Sequence, residues 1–348
     1  MVEVITFGCR MNAYESEVIK EKLREYDNVI VINTCAVTGE AERQCRQTIR
    51  KLRRENPEAK IIVTGCSAQV SSAKLAEMPE IDLLLGNKEK RNIEQFVANI
   101  NAPKNSVSDI FQDDECGDYI ITGFEGRHRA FVQIQQGCKH RCTYCIVPYA
   151  RGKNRSVAPD LIIKQIRKLL LQGYKEICLT GVDICSYEPS FSELVEKILT
   201  EIKDIPSLQF GSLDPAAVDD KFIELYAKHQ NMAPHFHFSA QSGDNSVLRK
   251  MGRRHSREDI INLCEKLREK RNETTFGADF ICGFPSETLQ AFENTCNLVK
   301  EAKIGKLHVF PYSEREGTPA AKWEQIPMSE RRRRAAVLRS LSTENEEE

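Results

Sequence analysis

Short apolar runs alternate with charged, helix-like stretches along the first hundred residues. The apolar runs predict buried strands over Val2–Phe7, Val29–Asn33, Ile61–Thr64 and Ile81–Leu85. Segments rich in Glu, Lys, Arg and Leu lie between these runs and predict helices over Ala13–Tyr26 and Glu40–Asn56. Because strands and helices alternate, we predict an α/β domain with a parallel sheet of the flavodoxin-like or Rossmann-like type.

A second alternating stretch begins near Arg129 and contains six βα units. Its predicted strands are Ala130–Gln135, Ile177–Thr180, Gln209–Ser212, His235–Ser239, Gly277–Ile281 and Leu307–Phe310. Its predicted helices are Pro159–Gln172, Phe191–Lys203, Asp219–His229, Ser256–Arg271 and Glu287–Ala302. This pattern predicts a partial (β/α)6 barrel, with functional residues at the carboxyl ends of the strands.

The length of 348 residues favours more than one domain. We expect an N-terminal domain over residues 1–100 and a polar linker over 101–126. The partial barrel then covers 127–328, and a basic helix and tail cover 329–348.

Net charge and the N-terminus limit the choice of partner and compartment. The formal net charge of −1 does not indicate a nucleic-acid partner, although a basic face can exist within a neutral total. Met1–Cys9 lacks the basic and apolar pattern of a signal peptide, and no apolar run reaches the roughly 18 residues of a membrane span. We therefore expect a cytoplasmic protein, and a monomer by default.

The chain contains 13 cysteines, which is many for a cytoplasmic protein. Disulfides are rare in reducing compartments, so this surplus indicates metal or redox chemistry. The alternative is that all are buried thiols, and composition alone leaves the two open.

Three cysteines lie in one short loop after the first predicted barrel strand: Cys138, Cys142 and Cys145. Thiolates at this spacing can reach three corners of one cubane cluster and leave one iron open to a substrate. A zinc site needs a fourth ligand, and His140 lies too tightly between two of the cysteines to serve easily.

A wider set follows the first three strands of the N-terminal domain, at Cys9, Cys35 and Cys66. Ligands of open α/β sheets gather at the carboxyl ends of parallel strands, so these three cysteines are predicted to converge on a second cluster. Most of the other seven cysteines fall where packing residues are expected, with Cys185 the least certain because it follows a strand end.

Several motifs resemble those of the radical S-adenosylmethionine methylthiotransferase family over almost the whole chain. The matching segments are Gly8–Asn12, Asn33–Thr38, Thr64–Cys66, Cys142–Gly152, Gln241–Gly243, Met251–Arg254, Gly283–Thr288 and His308–Ser313. Gly8–Asn12 and Asn33–Thr38 look most like the branch that acts on N6-threonylcarbamoyladenosine at tRNA position 37.

The resemblance implies two [4Fe-4S] clusters and S-adenosylmethionine as cofactors, and the tRNA anticodon arm as partner. The loop cluster would bind S-adenosylmethionine and yield a 5′-deoxyadenosyl radical that abstracts hydrogen from adenine C2. The other cluster would hold or supply sulfur, and a second S-adenosylmethionine would supply the methyl group. An external reductant and a sulfur donor are also implied, without their identity. The implied cofactor-binding residues are Tyr144, Gly181, Asp183, Gln241, Ser242, Arg253 and Phe310.

Three alternatives remain open. The substrate can be isopentenyladenosine at the same tRNA position or an aspartate of a ribosomal protein. A non-catalytic iron–sulfur electron carrier explains the cysteines but needs neither a barrel nor an open iron.

Family members commonly continue into a C-terminal β-barrel that binds RNA, and no such domain is expected in the 348 residues here. We therefore expect tRNA contacts from the basic stretch that follows the loop cysteines, mainly Arg151, Lys153 and Arg155. Arg331–Arg334 are expected mainly to form a solvated helix face and to matter less for binding.

Overall fold

The computed structural model describes residues 2–99, 103–117 and 119–343. The start of the predicted linker (101–102), residue 118 and the end of the predicted tail (344–348) lie outside the described residues. The chain forms two compact units. Unit 1 comprises the described residues of Met1–His140, Cys145–Tyr174 and Thr180–Val182, and unit 2 comprises those of Arg141–Tyr144, Lys175–Leu179 and Asp183–Glu348.

Unit 1 is built on a five-stranded parallel sheet with the order β1-β2-β3-β4-β5. Its strands are β1 (Glu3–Thr6), β2 (Val29–Thr34), β3 (Lys60–Gly65), β4 (Leu83–Leu85) and β5 (Asn105–Ser106). The helices between them are α1 (Arg10–Lys22), α2 (Gly39–Glu55), α3 (Cys66–Val70), α4 (Ser72–Ala76) and α5 (Ile93–Ala98). The predicted parallel sheet is confirmed, but its strands follow chain order, whereas flavodoxin has the order 2-1-3-4-5.

Successive residues of β2 supply both halves of the core of this sheet. Val29 and Val31 pack with Ile19 of α1, whereas Ile30 and Ile32 pack with Ile49 of α2. Side chains of a strand point alternately to opposite faces, so a continuous apolar run is what a sheet covered on both faces requires.

The remaining elements of unit 1 follow the linker region. They are β6 (Arg129–Gln133), β7 (Gln135–Gln136), α6 (Val147–Arg151), β8 (Arg155–Ser156) and α7 (Pro159–Leu171). The loop that carries the three closely spaced cysteines lies between β7 and α6.

Unit 2 contains further parallel strands, each followed by a helix. The strands are β9 (Glu176–Thr180, its last residue in unit 1), β10 (Ser207–Phe210), β11 (His235–Gln241), β12 (Thr275–Cys282) and β13 (Lys306–Pro311). The helices are α8 (Phe191–Glu201), α9 (Asp220–Lys228), α10 (Asn245–Met251), α11 (Arg257–Lys270), α12 (Leu289–Glu301) and α13 (Met328–Arg339). β9 pairs with β10, β11 to β13 form a second parallel sheet, and a parallel bridge between Leu213 and Phe238 links the two.

Aromatic rings fill the layer between these strands and their helices. Phe210 of β10, Phe222 of α9 and Phe236 of β11 pack with ring centroids 5.1 to 6.2 Å apart. The predicted α/β fold class is confirmed. Among the described residues, no helix has the length and apolar character that crossing a membrane requires.

Candidate iron–sulfur and cofactor sites

The strand-end cysteines, Cys9, Cys35 and Cys66, occupy equivalent places in the sheet of unit 1. Cys9 is the N-cap of α1, Cys35 directly follows β2, and Cys66 begins α3 directly after β3. Cys35 and Cys66 are buried, whereas Cys9 is exposed. Because β1, β2 and β3 are adjacent and parallel, their carboxyl ends bring the three cysteines to one edge of the sheet, as predicted.

Two glycines allow the close approach of the chain at this edge. Gly8 has φ +91°, and a Cβ there would lie 2.8 Å from Sγ of Cys35. Gly65 has φ +96°, and a Cβ there would lie 2.5 Å from the backbone nitrogen and oxygen of Thr34. Any other residue would be strained at either position and would displace a cysteine or the strand that carries it.

The strand-end thiols fit an iron–sulfur cluster better than a single ion. Burial, and then the neighbouring Cys66, raise the pKa of Cys35 to about 12, so a thiolate here requires a compensating cation. Among the described residues, only His237, Asp279 and His308 bring three possible ligand atoms within 4.8 Å of one another. The three strand-end cysteines do not form such a close group, whereas a cubane takes each thiolate on a separate iron and does not require one.

A buried ionic network lies beside Cys66. Nε of Arg151 donates to Sγ of Cys66 over 3.1 Å, and its two Nη atoms donate to Glu15 and Asn12. Nζ of Lys90 donates to Oε2 of Glu15 over 2.6 Å. Burial alone would raise the pKa of Glu15, but Arg151 and Lys90 hold it near 2, so the carboxylate is ionised.

The expected RNA-binding role of the stretch around Arg151 is wrong for two of its three residues. Arg151 is only 2% exposed, and the Arg155 side chain is 8% exposed, with its guanidinium paired to Asp113. Lys153 alone is exposed, where its Nζ lies 3.2 Å from Asp114. The sequence showed a basic cluster but not its partners, because Glu15 and Asp113 are distant from it along the chain.

The loop cysteines, Cys138, Cys142 and Cys145, lie in a segment fixed by backbone contacts. Gly137 opens the segment with φ +70°, and a Cβ there would lie 1.6 Å from the carbonyl oxygen of Lys153. Within unit 1, the Cys138 amide donates to the carbonyl of Gly152 over 3.1 Å. All three thiols are partly exposed, as a site that admits a small molecule requires.

Within unit 2, the middle of this segment is fixed to the end of α10. The Thr143 amide donates to the carbonyl of Met251 over 2.9 Å, and its hydroxyl donates to the carbonyl of Lys250 over 2.8 Å. Tyr144 packs edge-on against Phe284 with ring centroids 6.4 Å apart. Thr143 and Tyr144, the two residues between Cys142 and Cys145 in the sequence, are therefore held in place.

Arg253 is held beside Cys142 by a carboxylate. Its Nη1 lies 3.9 Å from Sγ of Cys142, and its Nη2 donates to Asp214 and to the carbonyl of Ser239. Burial would raise the pKa of Asp214, but His255 and Arg253 hold it well below its usual range. Asp214, which the sequence did not single out, therefore fixes a cation next to a predicted cluster ligand.

The other predicted cofactor-binding residues lie at strand ends or on the open side of a strand. Gly181 and Asp183 follow β9, and Asp183 accepts from the hydroxyl of Ser186 over 2.7 Å. Gln241 ends β11 at φ +67°, a left-handed conformation that is uncommon for a residue other than glycine. Ser242 is fully buried and accepts from the Asp244 amide. Phe310 of β13 is 43% exposed.

A polar cluster that was not predicted from the sequence lies on three neighbouring strands of unit 2. Nε2 of His237 and Nδ1 of His308 lie 3.0 and 3.4 Å from Oδ1 of Asp279, and Ser212 donates to Oδ2 over 3.1 Å. Burial would raise the pKa of Asp279, but the two imidazoles hold it well below its usual range. His237 and Asp279 are flanked by buried Phe236, Phe238 and Phe280, and His308 lies between buried Leu307 and Val309, so the strand period was the signal that the three share the other face.

The C-terminal arginines divide into two pairs. Arg332 and Arg333 are exposed, as expected for a solvated face. Arg331 and Arg334 are buried: Arg331 donates to the carbonyl of Tyr312, and Arg334 donates to Glu287 over 2.6 Å. The expectation of a solvated helix face is therefore wrong for Arg331 and Arg334, which pack α13 onto unit 2.

Two protein families match segments of the chain. Residues 132–299 match the Radical SAM superfamily, and residues 1–86 match a family described as Uncharacterized protein family UPF0004. These two segments contain the loop cysteines and the strand-end cysteines, respectively.

Several curated proteins are similar over nearly the whole chain. Threonylcarbamoyladenosine tRNA methylthiotransferase MtaB of Rickettsia prowazekii is 47% identical, over 97% of this chain and 82% of the relative. The protein of that name from Bacillus subtilis is 35% identical, over 97% and 79%. The tRNA-2-methylthio-N(6)-dimethylallyladenosine synthase of Halalkalibacterium halodurans is 36% identical, over 97% and 67%.

Solved structures of low identity share the fold. The radical S-adenosylmethionine methyltransferase TsrM of Kitasatospora setae, with cobalamin and a [4Fe-4S] cluster bound, matches with a TM-score of 0.68 at 16% identity, over 92% of this chain and 76% of that one. The two family matches, together with the relatives at 47% and 35% identity, establish the family of this chain. The chain belongs to the radical S-adenosylmethionine methylthiotransferase family, and its relative at 47% identity is named for threonylcarbamoyladenosine.

Proposed function

We propose that this protein is a cytoplasmic enzyme that transfers a methylthio group to C2 of N6-threonylcarbamoyladenosine at tRNA position 37. One observation carries the proposal: the chain holds two sets of three cysteines, one at the ends of three parallel strands and one in a single loop. The 47% identity to a protein named for this nucleoside supports the choice of substrate.

The two sets of cysteines have different roles in the proposed reaction. When bound, the clusters and S-adenosylmethionine supply a radical that removes the hydrogen from adenine C2, and the sulfur and methyl group that replace it. Such a C–H bond has no acidic proton, so no side-chain base can substitute for radical chemistry. Cys138, Cys142 and Cys145 hold the radical cluster, and the strand-end cysteines hold the auxiliary cluster.

The protein orients S-adenosylmethionine through residues that follow strands and through a residue beside the loop. Arg253 is fixed by Asp214 and Ser239, and its guanidinium suits a carboxylate in geometry and charge. Asp183 and Gly181 follow β9 and supply polar contacts for the methionine amino group. The strained backbone of Gln241, with the neighbouring Ser242, supports a role in binding the ribose or carboxylate.

Aromatic side chains complete the proposed cofactor site. Phe310 presents a partly exposed ring on β13, which supports a role in stacking on the adenine. Tyr144 is held by Phe284 directly before the last loop cysteine. The anticodon arm delivers the nucleoside, an external reductant supplies electrons, a sulfur donor restores sulfur, and the enzyme acts as a monomer.

The alternative substrate is the dimethylallyl (isopentenyl) nucleoside, because a synthase of that class is 36% identical to this chain. The test uses anaerobically reconstituted enzyme with three substrates: tRNA carrying threonylcarbamoyladenosine, tRNA carrying isopentenyladenosine, and ribosomes. Nucleoside and peptide mass spectrometry should detect the methylthio product only with the first. Product on either other substrate instead would overturn the substrate assignment.

The same reactions separate an enzyme from an electron carrier. Formation of 5′-deoxyadenosine after reduction is expected with the intact chain and is absent from a protein that only transfers electrons. The control is Cys145→Ala, which removes one ligand of the radical cluster. Equal 5′-deoxyadenosine from both proteins would show that the loop does not generate the radical.

A further inference from the structure

Arg151 follows the loop cysteines along the chain and contacts Cys66, one of the strand-end cysteines. It is the last residue of α6, six positions after Cys145, and it is only 2% exposed. Its Nε donates to Sγ of Cys66 over 3.1 Å, while both Nη atoms are engaged by Glu15 and Asn12. A guanidinium can make all these contacts at once because its donors form a rigid planar fork.

The charges around this contact do not cancel. Arg151 and Lys90 are both buried cations, and Glu15 is the one carboxylate that the described structure pairs with them. Asn12, which also accepts from Arg151, is neutral. An uncompensated buried charge is costly, and burial together with the neighbouring Arg151 lowers the pKa of Lys90 to about 8, so an anion nearby would stabilise the charged network. A cluster whose thiolates outweigh the charge of its iron core is such an anion, and Cys66 is one of its ligands.

We propose that Arg151 is a positioning residue that holds Cys66 and sets the reduction potential of the auxiliary cluster. This inference rests on the proposed function, because it takes Cys9, Cys35 and Cys66 as cluster ligands. A hydrogen bond to a ligand sulfur and a nearby positive charge both favour the reduced, more negative cluster. Glu15 opposes this effect by charge while it fixes the guanidinium, and Lys90 adds to it.

The test measures the potential of the auxiliary cluster alone. The background is the full chain with Cys138, Cys142 and Cys145 replaced by Ala, which leaves only the strand-end ligands. Arg151→Met and Glu15→Gln are added separately, and each protein is titrated anaerobically while the reduced cluster is followed by electron paramagnetic resonance. Arg331→Met is the control, because Arg331 is equally buried and its described partners include no cysteine.

The two variants should move the potential in opposite directions. Arg151→Met should shift the reduction equilibrium at least tenfold towards the oxidised cluster, about 59 mV for a one-electron couple. Glu15→Gln leaves both cations unopposed and should shift the potential upwards, and Arg331→Met should leave it unchanged. A purely structural role of Arg151 predicts no such opposite shifts. The opposite signs therefore distinguish tuning of the reduction potential from loss of packing.

Other outcomes decide against the inference or against its basis. If Arg151→Met and Glu15→Gln both keep the potential of the background, or shift it in the same direction, Arg151 does not tune the cluster. If Arg151→Met cannot be loaded, Glu15→Gln alone decides by the sign of its shift. A background protein that binds no cluster would instead refute the ligand assignment of the proposed function.

Discussion

In unit 1 the strand-end cysteines each follow a different strand of one parallel sheet, whereas the loop cysteines share one short segment. The first set is placed by the register of β1, β2 and β3, which buried apolar residues fix. The second set is placed by a glycine and by backbone hydrogen bonds around Cys138 and Thr143.

Charge distinguishes the two sets as well. Cys66 has a fully buried guanidinium at 3.1 Å, itself held by Glu15, while Arg253 lies 3.9 Å from Cys142 and is tied to Asp214. The loop thiols are all partly exposed, whereas two of the strand-end thiols are buried. Under the proposed assignment, the more buried strand-end set suits a cluster that is retained, and the partly exposed loop set suits a cluster that meets a cofactor.

The largest expected effect follows from removing the loop ligands. Replacing Cys138, Cys142 and Cys145 by Ala should abolish 5′-deoxyadenosine and product. It should also reduce the iron of the reconstituted protein from about eight to about four per chain. Iron analysis and nucleoside mass spectrometry on the same preparation check both. Retention of all the iron would mean that these cysteines are not ligands.

A second test breaks the strand-end set through the backbone. Gly65→Ala should lower the free energy of unfolding by more than about 4 kcal/mol and reduce iron loading, because the new Cβ meets the Thr34 backbone at a strained φ. Thermal or chemical denaturation measures the loss. Gly173→Ala is the matched control: it has φ +89° but nothing within 4 Å, so it should cost only about 1 kcal/mol. Equal losses would show that the close contact at the cysteine edge is unimportant.

A third test concerns the buried ion pair between Arg334 of α13 and Glu287, which should affect stability but not the auxiliary cluster. Arg334→Ala leaves Glu287 buried without its ion-pair partner and should lower the free energy of unfolding by about 3 kcal/mol. Arg333→Ala removes only an exposed pair with Glu330 and should leave stability unchanged. Neither variant should change the potential of the auxiliary cluster. A changed potential in Arg334→Ala would remove the contrast with Arg151.

The smallest expected effect concerns tRNA binding near the loop. Lys153→Glu should weaken binding slightly and reduce the salt slope by about one, since Lys153 is the only exposed residue of the three first expected to bind. Filter binding across a salt series measures it, with the exposed Lys266→Glu in α11 as control. A large loss for Lys153→Glu, or an equal loss for Lys266→Glu, would argue against this local contact.

The apolar pattern predicted the main strands and helices because burial on both sides of β2 leaves a continuous apolar run. The positions of Cys9, Cys35 and Cys66 after successive strands likewise predicted their convergence. The order of the strands in the sheet could not be predicted in this way. The apolar pattern that indicates a strand does not show which other strand it pairs with.

The supporting residues were the part that sequence reasoning could not find. Glu15 and Arg151 are 136 positions apart, and His237, Asp279 and His308 come from three separate strands. The basic character of Arg151, Arg155, Arg331 and Arg334 suggested solvent or RNA, because charge along the chain does not reveal a buried partner. Only the packing of the folded chain distinguishes these arginines from Lys153.

The most direct test of two separate clusters is 5′-deoxyadenosine and methylthio product measured together in folded, reconstituted Cys35→Ala. Cys35 follows β2 of the sheet and is not one of the loop cysteines, so the radical should still form. Abundant 5′-deoxyadenosine with no methylthio nucleoside is the expected result. Loss of 5′-deoxyadenosine together with the product would contradict the division of labour between the sheet and the loop.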